Sequence, residues 1–230
     1  NSDNIVRILA LRHEAANLVG FATYADYSLA TKMADSTEQV ISFLRDLAAH
    51  SRSTAEREYQ ALSEFAGMEL EPWDVAFWLE KYKQEKFSIS NEQLKQYFPV
   101  DTVVEGLFAL AARLYDVTLS QNDSVATWHE DVRYFEVRET TGQALGGFYT
   151  DLFARNGKRT GAWIDECVGR MQLNGELELP VGYLVCNFSP RDENRVSLLT
   201  HDDVVTLFHE FGHMLHHLLT QVGFPSISGI

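Results

Sequence analysis

One stretch constrains this chain more than any other: THDDVVTLFHEFGHMLHHLLTQVGF, residues 200–224. Thr200 with Asp203 three positions on has the spacing of a capping box. Asp202 and Asp203 suit the positive end of a helix dipole. Val204, Leu207, Phe211, Met214, Leu215 and Leu218 then recur at three- and four-residue steps, which predicts a helix with one broad apolar face. A helix of this kind must bury that face, so the rest of the chain has to supply a surface for it.

The other side of the same helix carries chemistry. Residues 209–217, HEFGHMLHH, hold four of the chain's eight histidines. Residues four apart on a helix differ by about 40° in azimuth and about 6 Å along the axis. His209 and His213 can therefore direct two imidazoles at one ion. Glu210 lies about 100° around from His209, off the ligand line, where a carboxylate can hold a metal-bound water. That division into two zinc ligands and a general base is the logic of H-E-x-x-H. A second register, His213 with His217, has no carboxylate after its first ligand, so the spacing favours His209 with His213. His216 shares the His209 azimuth but sits about 10 Å along, too far for a shared ion. His216 and His217 are read as polar lining or a surrounding layer. Gly212 costs ~1 kcal/mol relative to alanine in mid-helix, which predicts that another element approaches closely there. The competing reading is a buried helix whose histidines are only hydrogen-bonded, in a non-enzymatic helical interaction domain. A purely structural metal would need a closed four-ligand site, commonly with Cys, and neither Cys167 nor Cys186 is near His209 in sequence.

Upstream, the pattern divides near residue 118. Residues 1–117 read as a helical region and 118–230 as a partial catalytic region with β-hairpins and the HEFGH helix. In 4–21, Ile5, Ile8, Leu11, Ala15 and Leu18 follow a helical period. In 35–67, Asp35 or Ser36 caps the start, Gly67 suits a left-handed end, and Val40, Phe43, Leu44 and Leu47 form the expected buried stripe. Pro72 opens another helix in its first turn. Ser90 with Gln93 is a capping-box spacing, and Asp101 introduces a further helix. Residues 131–139 alternate as a strand, 140–143 turn, and 144–151 return, with Gly146 and Gly147 marking a bulge or a close backbone approach. RNGKRTGAW, 155–163, reads as a solvated basic loop running into a short helix over 163–172. It lacks the spacing of a phosphate loop. GYLVCNFS, 182–189, is a third strand; PRDEN turns the chain, and RVSLL pairs back. The expected class is mainly α, a helical bundle-like channel wall with a small antiparallel β element beside the metal-motif helix.

Composition narrows the partners. Acids outnumber bases 33 to 19, a net charge of −14. Nucleic-acid affinity rests on Lys and Arg neutralising phosphate, so nucleic acid and anionic membrane surfaces are poor partners. No apolar run approaches a spanning length. Two cysteines make no disulfide framework, and the expected setting is a reducing cytoplasm. A covalent Cys nucleophile has no obvious histidine partner. The chain opens on NSDN without Met and closes on SISGI, from which the expectation is a piece of a longer protein.

LLTHDDVVTLFHEFGHMLHHLL, with GYLVCNFSP and GGFYTDLFARNGKRTGAW upstream, resembles the thimet oligopeptidase family of zinc metallopeptidases, in its bacterial branch. The resemblance runs over essentially the whole chain. It implies a mostly helical, zincin-like fold around a channel that admits short peptides, working as a monomer. It implies zinc as the cofactor, His209 and His213 as two ligands, and Glu210 as catalytic base. It implies that a peptide pairs by strand addition near the cleft, at Gly182, Tyr183, Leu184 and Val185. The family's third ligand is a Glu on the next helix, which falls beyond Ile230. These 230 residues by themselves are therefore expected to bind zinc weakly and to be inactive.

Overall fold

The computed structural model describes residues 1–190 and 196–229. The chain forms two compact units, 1–86 and 87–230. The boundary precedes the change of sequence pattern at 118, because the helix over 100–115 packs on the sheet that follows it.

The first unit is helical: α1 (Ser2–Leu18), α2 (Tyr24–Leu29), α3 (Thr37–Ala66) and most of α4 (Val75–Phe87). The Ser36 hydroxyl accepts the Gln39 N–H at 3.1 Å and caps α3. Gly67 ends that helix at φ 70°, a left-handed conformation that glycine adopts without a Cβ penalty. Phe65 meets Tyr82 edge-on at 5.3 Å, joining α3 to α4. Pro72 lies three residues ahead of α4 rather than in its first turn. The expected buried stripes are exposed: Phe43, Leu44 and Leu47 on α3, and Ile5, Ile8, Leu11 and Leu18 on α1. The helical period holds, but these apolar faces are exposed among the described residues.

The second unit holds α5 (Asn91–Lys95), α6 (Val100–Tyr115), seven strands and α7 (His201–Leu219). The Ser90–Gln93 and Thr200–Asp203 capping boxes both form. The strands are β1 (Val117–Gln121), β2 (Arg133–Glu139), β3 (Ala144–Phe153), β4 (Trp163–Val168), β5 (Met171–Leu173), β6 (Glu176–Glu178) and β7 (Val181–Phe188). Five make one sheet in the order β1-β2-β3-β7-β4, and β5 pairs β6 separately. All pairings in the large sheet are antiparallel except β3 with β7. The class is mainly α with a β element, as expected, though the sheet is mixed and larger than a hairpin.

Two local expectations change. Residues 163–168 are strand β4, not helix. Trp163, Ile164, Cys167, Val168 and Met171 imitate a helical period, and an edge strand exposed along Asp165, Glu166 and Cys167 shows no clean alternation to counter it. The turn expected at PRDEN lies at residues 191–194 outside the described set. The segment after it does not pair back on β7. The Val100 N–H instead donates to Ser197 O and the Leu199 N–H to Phe98 O, which joins it to the entry of α6.

One face of the sheet, with Phe135, Val137, Phe148, Leu184 and Cys186, packs against α6 and α7. Phe148 lies 5.5 Å from Phe135 and 5.8 Å from Phe211, ring centre to ring centre. Leu207, Phe211, Met214 and Leu218 of α7 are all at most 2% exposed. Burying side chains of this size contributes roughly 1.5–3 kcal/mol each.

The close approach expected at Gly212 occurs elsewhere. A Cβ at Gly182 would stand 2.6 Å from Met214 Sδ, whereas one at Gly212 meets nothing within 4 Å. Gly146 and Gly147 do mark close approaches, to Pro180 O and to the Tyr134 hydroxyl. Nothing in the structure explains Gly212. Gly182→Ala is therefore expected to destabilise the chain by about 1–3 kcal/mol through overpacking. Gly212→Ala is expected to stabilise it by about 1 kcal/mol through helix propensity. Urea denaturation of the two variants reads both signs, and a destabilised Gly212→Ala would contradict the open space seen there.

Candidate metal and peptide site

Because the Leu207–Leu218 face is buried, α7 turns His209 and His213 outward and leaves Glu210 half-buried at the margin. The two imidazoles converge, with Nε2 of His213 3.2 Å from Nε2 of His209 and the rings at 82°. Two nitrogens bound to one tetrahedral zinc at about 2.0–2.1 Å are about 3.3–3.4 Å apart. The pair therefore fits the bite of one ion. Among the described residues, no third His, Cys, Asp or Glu joins them in a metal-binding group.

Glu210 and His213 share an open groove with Ala162, Trp163, Ile164, Asp165 and Glu166. These five residues come from the start of β4 and the residue ahead of it. Among the described residues, β4 is an edge strand of the large sheet and pairs only with β7. β7 is hydrogen-bonded to β3 on one side and β4 on the other. Gly182, Tyr183, Leu184 and Val185 thus offer no free backbone edge, and strand addition at β7 is corrected on that ground. The free edge beside the groove belongs to β4.

Two side-chain knots set the position of that edge. The first is His217, which is 1% exposed and not polar lining. Its Nε2 lies 3.2 Å from Val168 O and 3.2 Å from Val181 O. Both partners are carbonyls, so Nε2 carries the hydrogen and one imidazole joins α7 to both β4 and β7. Its azimuth, within about 20° of Glu210 and two turns on, was the available signal that it borders the buried face. His216 is exposed.

The second knot lies in the basic loop at 155–163, where the sequence predicts solvated side chains. Lys158 has a side chain only 5% exposed. Its Nζ donates to Asp151 Oδ1 at 2.8 Å, to the Phe153 carbonyl at 2.8 Å and to the Cys186 carbonyl at 2.5 Å. Arg155 binds both Asp151 oxygens at 2.6 Å, and Trp128 Nε1 donates to Asp151 Oδ2. Burial pushes the Asp151 carboxyl up, but the hydrogen bonds from Arg155 and Lys158 outweigh it and hold the group at about 2. Nothing in the linear sequence marks this knot, since Lys158 and Cys186 are 28 residues apart.

Cys186 is not set up as a nucleophile. Burial first, and then the charge of Glu210, push the Cys186 thiol up to about 12. Cys167 is exposed on β4, where its sulfur accepts the Tyr183 hydroxyl at 3.0 Å.

Comparison with known proteins fits this geometry. The chain matches the family described as Peptidase family M3 over residues 1–230. It belongs to peptidase family M3. This M3 chain is 49% identical to Oligopeptidase A of Escherichia coli K12, over all of its own length and 35% of that protein. It is 37% identical to the organellar oligopeptidase A of Arabidopsis thaliana, over all of its length and 31% of that protein. It is 36% identical to Dipeptidyl carboxypeptidase of E. coli K12, over 98% of its length and 34% of that protein. The M3 chain thus spans about a third of the length of these relatives. Among the described residues, no helix is long and apolar enough to cross a membrane.

The Asp151 knot yields a pH-dependent prediction. Its folded pKa lies below the unfolded value, so its contribution is complete above about pH 4 and is lost as pH falls through about 2. Asp151→Asn leaves Lys158 buried without its counter-charge, an expected loss of about 3–5 kcal/mol at neutral pH. Denaturation of wild type and variant from pH 7 to pH 2 should show the gap narrowing in acid. A gap unchanged by pH would contradict the assignment.

Proposed function

We propose that the protein carrying this chain is a zinc-dependent endopeptidase of short peptides, active as a monomer in the cytoplasm. The observation that carries this reading is the convergence of the His209 and His213 Nε2 atoms at 3.2 Å beside a groove that also holds Glu210 and the free edge of β4. Membership of family M3 supports the reaction class. His209 and His213 hold the ion, and a third ligand, a Glu by the family resemblance, comes from outside the described residues. Zinc, when bound, supplies an acidified water and Lewis-acid polarisation of the peptide carbonyl. Glu210 takes the proton of the attacking water and returns it to the leaving amine. The peptide backbone pairs with the open side of β4, which aligns the scissile carbonyl with Glu210. His217 and Lys158 keep that edge in place, and neither exchanges a proton with the substrate.

In the intact protein, a chelator is expected to abolish hydrolysis of short peptides, and added zinc to restore it. Glu210→Gln should lower kcat by about 10²–10⁴-fold with metal content unchanged, since removing a general base costs that much. His209→Ala and His213→Ala should instead lower the metal content itself, read by elemental analysis. Chelator-resistant hydrolysis would sink the metal reading, and a fully active Glu210→Gln would sink the base assignment. The 230-residue chain by itself is expected to bind zinc weakly and to hydrolyse nothing.

A further inference from the structure

Arg159 has no role in the reaction just described, and its surroundings give it one. It follows the buried Lys158, yet its own side chain is exposed. Its guanidinium carbon lies over the Trp163 ring, 5.3 Å from the centroid. Trp163 is the first residue of β4 and lines the groove with Glu210 and His213. The two basic residues nearest in sequence, Arg155 and Lys158, are consumed by Asp151. No carboxylate among the described residues pairs with Arg159.

The backbone that carries Arg159 is held firmly. Asn187 Nδ2 donates to Arg159 O at 2.8 Å and to Gly161 O at 2.7 Å. The neighbouring Lys158 Nζ is tied to the Phe153 and Cys186 carbonyls. A cation fixed in this way loses little conformational entropy when it binds. The N–H fork of a guanidinium matches a carboxylate bidentately. Asp165 and Glu166, two and three residues further along β4, line the same groove. In a chain of net charge −14, which repels anionic peptides, Arg159 thus sets a positive charge beside the start of β4, ahead of the carboxylates of Asp165 and Glu166.

We propose that Arg159 is a specificity-determining residue that binds a carboxylate on the C-terminal side of a peptide lying along β4. This rests on the proposed peptidase site and adds its polarity: the peptide runs antiparallel to β4, its C-terminal part beside Trp163. The carboxylate is either the peptide's own terminus or an acidic side chain near it.

The test is equilibrium binding by calorimetry to the intact zinc-loaded protein carrying Glu210→Gln, so that binding is read apart from turnover. The probes are a short acetylated alanine peptide as its free acid, the same peptide as C-terminal amide, and the amide with one Glu or one Gln near its C-terminus. Adding Arg159→Gln should weaken the free acid by about tenfold, the value of one charge-assisted contact, and leave the plain amide and the Gln amide unchanged. An equal loss for the Glu amide would show that side chains are read as well as the terminus; no loss there would assign the terminus alone. Arg159→Lys should restore only part of the affinity. Equal losses for acid and amide, no loss for any peptide, or no peptide binding at all would overturn the proposal. Hydrolysis by the wild type, measured separately, reports on the peptidase reading itself.

Discussion

The site depends on the burial of one helix face. Leu207, Phe211, Met214 and Leu218 of α7 press into the sheet, and Met214 reaches β7 because Gly182 has no side chain. A helix fixed along one stripe has no remaining freedom of rotation. The outward direction of His209 and His213, and the marginal position of Glu210, follow from apolar residues that take no part in any chemistry. The 3.2 Å approach of the two imidazoles is then a matter of helical pitch rather than of a tuned loop.

What could be read in advance follows from where the information lies along the chain. The α7 helix carries its cap, its buried face and its two convergent histidines within residues 200–218, so local patterning is enough. The α3 helix was equally legible in its cap at Ser36 and its end at Gly67, yet Phe43, Leu44 and Leu47 are exposed. Periodicity says which face of a helix wants cover, and it is silent on what supplies that cover. Strand β4 was misread because Trp163, Ile164 and Cys167 sit at an edge where neither face is fully buried. The Lys158 knot was invisible because its acceptors, Phe153 O and Cys186 O, are main-chain atoms that any residue type would provide.

The same division explains the candidate peptide edge. Residues 182–189 read as a strand, with Leu184, Val185 and Cys186 buried in succession, and a strand beside the motif helix is a reasonable host for an extended peptide. But the features that make a strand legible, with burial on both sides of the sheet, belong to central strands. The strand with a free edge is the one whose sequence is least regular, because half of its environment is solvent or ligand. In this M3 chain the most recognisable strand, β7, lies behind, and the least recognisable, β4, lines the groove with Glu210 and His213.

The bifurcated contact of His217 has a mechanical consequence. Val168 O and Val181 O belong to two different strands, yet both hang from one nitrogen on the helix that carries Glu210. The imidazole therefore acts as a gauge block between Glu210 and the edge of β4. If α7 slid along its axis or rolled on the sheet, it would lose both carbonyls together and strand a polar nitrogen in the core. The gap between Glu210 and β4 is in this way set from behind, by a ring that does not line the groove, and the groove keeps its width whether anything fills it.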